Sequence, residues 1–162
     1  MDINRSQHLK SFYEYASVKK NTCNPKLMKE AYNLYINKGQ ALAIVILLQE
    51  EWAASFKAPA RYRIGNRFPK IIWNHKNGKA RAGFYLLKDG KTLHPFMKLP
   101  ANFLTVGLLL HEYTHLITIY SDTFTNGRRT KHGPMFRSIF DYLLHAHKDD
   151  YLKVAKNSLD NR

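Results

Sequence analysis

The stretch Phe103-Leu104-Thr105-Val106-Gly107-Leu108-Leu109-Leu110-His111-Glu112-Tyr113-Thr114-His115-Leu116-Ile117-Thr118-Ile119-Tyr120 decides how the rest of the chain is read. It is mostly apolar, of helix length and free of proline, which predicts a buried helix. Gly107 is its one weak helix former. Within it, His111 and His115 stand four apart, so 3.6 residues per turn puts both imidazoles on one face, within reach of one metal ion. Glu112 follows the first histidine directly, where peptidases of this pattern keep a general base. Burying two histidines and a glutamate costs free energy unless they are paired or metal-bound. The pattern therefore implies a reaction, hydrolysis of a peptide bond, as well as a helix.

A catalytic zinc site takes three protein ligands and leaves a position open. His132 is the leading third ligand. It follows the turn-forming loop 121–131 and precedes Gly133-Pro134, with Pro134 suited to a helix's first turn. Phe136, Ile139, Phe140, Leu143 and Leu144 then recur at helical spacing, so this helix can fold back along the first and return His132 to the site. Asp122 ranks second. Asp141 lies inside the second helix, and His145 and His147 at its end read as residues favourable to the helix dipole. Ser121 stands where a metzincin carries its third histidine, which excludes that arrangement.

The pair His111-Glu112-x-x-His115 with His132-Gly133-x-x-Phe136 resembles the SprT-like domain, the zinc-peptidase domain of the Spartan proteases that act on proteins crosslinked to DNA. The likeness covers roughly residues 25–147, with its specific residues between 111 and 136. It implies a zincin-like fold, one catalytic Zn2+ held by His111, His115 and His132, Glu112 as base, and a DNA-bound or DNA-crosslinked protein as substrate.

The chain has 162 residues, 44% of them hydrophobic, which fits one globular domain. No stretch is long and apolar enough to span a membrane, and the N-terminus lacks a secretory apolar run, so an intracellular location is expected. A single cysteine, Cys23, excludes an internal disulfide or a multi-cysteine zinc ribbon. Charge is unevenly placed. Of the net +14, residues 57–98 carry +10, with 11 Lys or Arg against one acid, Asp89. That is the electrostatic footprint of a nucleic-acid binder. Arg61, Arg63, Arg67, Lys70, Lys76, Lys79 and Arg81 alternate with aromatics, and Trp73 or Tyr85 is the expected base-stacking residue, single-stranded DNA the favoured partner. Arg128, Arg129 and Lys131 add a basic loop beside His132.

Before the metal helix, apolar spacing predicts helices over about 6–19, from Asn24-Pro25 to Gly39, and over 41–56. Short β-type runs follow at 61–64, 71–75, 80–87 and 92–94, with tight turns at Asn77-Gly78 and Asp89-Gly90 predicting an antiparallel meander. The expectation is one α+β domain: an N-terminal helical extension (1–24), a core (25–147) and a C-terminal tail (148–162). Two other functions fit the sequence: a zinc peptidase with no DNA role, and a non-catalytic metal-containing nucleic-acid-binding module. An intact Glu112 speaks against the latter, because a structural metal site needs no base.

Overall fold

A computed structural model describes residues 25–75, 79–120, 124–125, 128–129 and 132–160. Among them the chain is α+β, with five α-helices and a four-stranded sheet. The helices are α1 (Pro25–Asn33), α2 (Lys38–Trp52), α3 (Val106–Thr118), α4 (Pro134–Ala146) and α5 (Lys148–Asp160). The sheet strands are β1 (Arg63–Ile64), β2 (Lys70–Asn74), β3 (Arg81–Leu86) and β4 (Thr92–Pro100). The expected helix over 6–19, the cap at Asn24 and the turn at Asn77-Gly78 lie outside the described residues. No described helix is long and apolar enough to cross a membrane.

Helix α3 is the centre of the molecule. All of its residues except His115 are buried. Thr105 caps it, its hydroxyl accepting from the Leu108 amide at 3.2 Å. The buried hydroxyls of Thr114 and Thr118 donate to the carbonyls of Leu110 (2.6 Å) and Thr114 (3.0 Å), so neither is left unsatisfied. Gly107 has a packing reason: a Cβ there would lie 2.4 Å from the Tyr32 ring of α1.

Gly39 does not end the first helix. α1 stops at Asn33, and Tyr35 makes an isolated bridge with Thr105 while the Ile36 amide donates to Leu104 O at 2.9 Å. α2 then starts earlier than the apolar run predicts. Asn37 and Gln40 form a reciprocal capping box, both bonds 2.8 Å, and this places Gly39 in its first turn. The expected tail is largely helix α5, whose Tyr151 and Ala155 enter the core. The Gln40 side-chain amide donates to Ala155 O at 2.8 Å. The loop after α3 contains a two-residue ladder, Phe124–Thr125 (β5) with Arg128–Arg129 (β6).

The sheet is mixed, which corrects the antiparallel meander. β4 is central. β3 runs antiparallel along it from Arg81↔Lys98 to Leu86↔Leu93, while β1 and β2 pair parallel to it at 92–93 and 96–100. β2 and β3, consecutive in sequence, therefore flank β4 instead of forming a hairpin. Pro95, which has no N–H to offer a ladder, falls in the gap between the β1 and β2 pairings. The Asp89-Gly90 turn does join β3 to β4. Gly90 takes φ 73° there, and the Asp89 carboxylate accepts from the Thr92 hydroxyl (2.6 Å) and the amides of Lys91 and Thr92 (2.9 Å each). These bonds, the Thr92 hydroxyl foremost, hold Asp89 well below the usual carboxylate range.

Gly107→Ala is expected to cost about 1–3 kcal/mol by overpacking against Tyr32. At about 2–4 °C per kcal/mol for a domain of this size, thermal unfolding reads it directly. Combining it with Tyr32→Leu should restore part of the loss, and strict additivity of the two changes would refute the clash.

Candidate metal centre

Three imidazoles converge where α3 meets the start of α4. The Nε2 atom of His111 lies 3.3 Å from that of His115 and 3.2 Å from that of His132. All three ligand atoms are within 4.8 Å of one another, and this is the one group among the described residues able to hold a metal ion. A tetrahedral ion bound at about 2.0–2.1 Å from each nitrogen spaces its ligands about 3.3–3.4 Å apart, so the donor set fits an ion. Helical periodicity supplies the first pair. Packing of α4 along α3 supplies the third, with Gly133 as N-cap and Pro134 at the first position as predicted.

Phe136 holds the cluster together, a role its place in an apolar stripe did not reveal. It is fully buried, with ring centroids 5.0 Å from His111, 4.6 Å from His115 and 4.8 Å from His132. Phe140 stacks on it at 5.9 Å. An aromatic floor of this kind restricts the imidazole rotamers and keeps the local dielectric low.

Electrostatics follow from burial. Desolvation first, then the neighbouring rings of His115 and His132, push the His111 pKa well below its ordinary value, which keeps the imidazole neutral, the form that ligates metal. Burial pushes Glu112 up to about 8. The buried Tyr113 hydroxyl donates to Gln49 Oε1 at 2.6 Å, and Gln49 Nε2 donates to Arg67 O at 2.7 Å. Of the competing ligands, Asp141 lies 3.4 Å from His145, and His147 lies 2.8 Å from Glu51 and 3.5 Å from Asp150. Asp122 lies outside the described residues.

The residues expected to bind nucleic acid separate into distinct groups. Arg67 has a structural task, its Nη1 donating to Ala53 O and Phe56 O, each at 2.8 Å, at the end of α2. Trp73 packs half-buried against the core, with Lys38 Nζ 5.5 Å from its ring centroid, so it is not an open stacking platform. Arg63 is exposed and lies 3.6 Å from Asp89, and Arg61 sits over Tyr62 at 4.8 Å. Lys70, Lys79 and Arg81 are exposed. Lys76 and Lys131 lie outside the described residues, and of Arg128 and Arg129 only the backbone, in β6, is described.

Searches with this chain find no matching protein family, curated protein or solved structure.

Two outcomes are expected at this centre. In calorimetric titration with zinc, His132→Ala should weaken binding more than the about 10–100-fold typical of outer-shell changes. Saturating the unaltered protein to 100 times Kd should add about 2.7 kcal/mol of stability, reversed by a chelator. The second concerns pH in metal-free protein. Because the folded pKa of Glu112 is raised from 4.5 to about 8, its contribution is fully present below 4.5 and lost as pH rises through 8. His111, lowered from 6.5, acts oppositely and destabilises below that value. Between pH 6.5 and 8 the melting temperature should therefore fall and then level off, and Glu112→Gln should flatten that fall. An unchanged slope would disprove the burial argument.

Proposed function

We propose that this chain is a zinc-dependent endopeptidase of the SprT-like type, with a zincin-like arrangement, acting on proteins bound or crosslinked to DNA. One observation carries the reading: three imidazole nitrogens from α3 and the head of α4 meet at ligand spacing, with a buried carboxylate next in sequence to the first. All-imidazole donors favour zinc among the common divalent ions. When bound, the ion supplies Lewis acidity toward the scissile carbonyl and acidifies water.

The chain's own residues then have defined tasks. His111, His115 and His132 hold the ion. Glu112 accepts the proton of the attacking water and returns it to the leaving amine. Burial that raises the carboxyl toward neutrality makes it a stronger base, while a divalent cation nearby favours its ionised form. The excess charge of 57–98 supports a DNA-coupled substrate. A peptidase with no DNA role is the second reading, favoured by the structural tasks of Arg67 and Trp73.

Cleavage of a DNA-binding protein by zinc-loaded enzyme, with and without single-stranded DNA, tests both. Glu112→Gln should keep zinc and lower turnover by at least about 10²–10⁴-fold. Retained turnover in that variant would remove the assignment of the base, and cleavage indifferent to DNA would select the second reading.

A further inference from the structure

Residues directly opposite across a ladder share a face, and side chains alternate along each strand. On β4, Leu93, Pro95, Met97 and Leu99 are buried, whereas His94, Phe96 and Lys98 are only partly covered. The register places Arg81 and Ile72 beside Lys98, Lys70 and Gly83 beside Phe96, and Tyr85 beside His94. One face of the sheet therefore packs inward, and the other presents cations and aromatic rings together.

The rings on that outer face form a continuous surface. Tyr85 lies 5.1 Å from His94 and 6.2 Å from Phe96, ring centroid to centroid. Arg81 lies 5.5 Å from the Phe96 centroid. Gly83, itself buried, sits against the same ring, since a Cβ there would meet Phe96 at 3.4 Å and the Ile119 side chain at 3.9 Å, so the Phe96 ring is covered on this side and Tyr85 is the open one. No acid occupies a paired outer position. Among the described residues, Lys70, Arg81 and Lys98 have no carboxylate partner, and the segment's one acid, Asp89, is bound within its turn and to Arg63. Lys70 and Arg81 therefore face solvent beside the exposed Tyr85 ring, while Phe96 is half-buried with Arg81 over it.

We propose that this outer face is a docking surface for single-stranded DNA, with a base stacked on the exposed Tyr85 ring and phosphates on Lys70, Arg81 and Lys98. Unpaired bases offer π-faces and regularly spaced negative charge, the two features this surface complements. From His94 to Lys98 the strand runs about 13 Å. Duplex DNA keeps its bases stacked on one another and gains only the charge contacts. The inference rests on the DNA part of the proposed function and is independent of the peptidase part.

Fluorescence anisotropy with a labelled oligothymidylate tests it without any turnover. Tyr85→Ala should weaken Kd about 5- to 150-fold at fixed salt, and Tyr85→Phe should bind like the unaltered protein. Lys98→Gln and Lys70→Gln should each reduce the slope of log K against log salt by about 0.7. Lys153→Gln on α5 should change neither the affinity nor, beyond general charge, its salt dependence. The proposal is overturned if Tyr85→Ala and Lys98→Gln bind normally while melting normally, if a duplex of equal length binds as tightly, or if an oligouridylate is preferred. Loss of peptidase activity in a separate assay, with this binding intact, would count against the proposed reaction alone.

Discussion

Helix α3 is buried on almost every side and still carries two histidines, a glutamate, a tyrosine and two threonines. Each polar group taken out of water must recover the hydration it loses, and this requirement organises the surrounding structure. The threonines return their hydroxyls to their own helix, and Tyr113 reaches across to Gln49 on α2. Gln49 in turn holds the carbonyl of Arg67, whose guanidinium closes the end of α2. A single chain of hydrogen bonds thus ties the histidine-bearing helix to α2 and to the segment that leads into β2. The histidines meet the requirement at the junction of two helices. Their nitrogens find one another, and through one another a common ligand position.

β4 organises the mixed sheet. β4 alternates between a buried face and a partly covered one, and it is the longest strand. Placed centrally, it has hydrogen-bonded neighbours on both edges and packs its apolar side on the helices. β3 follows it as a hairpin through the Asp89-Gly90 turn, while β1 and β2 take the other edge. The interruption at Pro95 is tolerated because that edge is shared by two short strands with a gap between them.

Charge is separated in the same way. The sheet's inner side is apolar, and its outer side gathers cations around aromatic rings. Asp89, which could have neutralised that surface, is fixed by hydrogen bonds within the turn. The three-histidine cluster is built on apolar packing by Phe136 and Phe140. A low dielectric at the histidines and a positive field on the sheet thus come from different parts of one small domain.

The sequence by itself determined the local features: the face shared by His111 and His115, the helix starting at Pro134, the turn at Asp89-Gly90, and the concentration of charge in 57–98. These depend on helical periodicity, backbone preference and composition, all of which act over a few residues. His132 was legible as a candidate ligand through the expectation that a second helix returns along the first and through the likeness of its motif. What tertiary structure alone decided was pairing and facing. The insertion of β4 between β2 and β3, the inward turn of Trp73, the capping task of Arg67 and the contact of Phe136 with three imidazoles all join residues distant in sequence. Cations and aromatics at alternating positions look alike whichever face is buried. The choice is made by which side of β4 the helices cover, because only there does burial of apolar surface outweigh the loss of solvent.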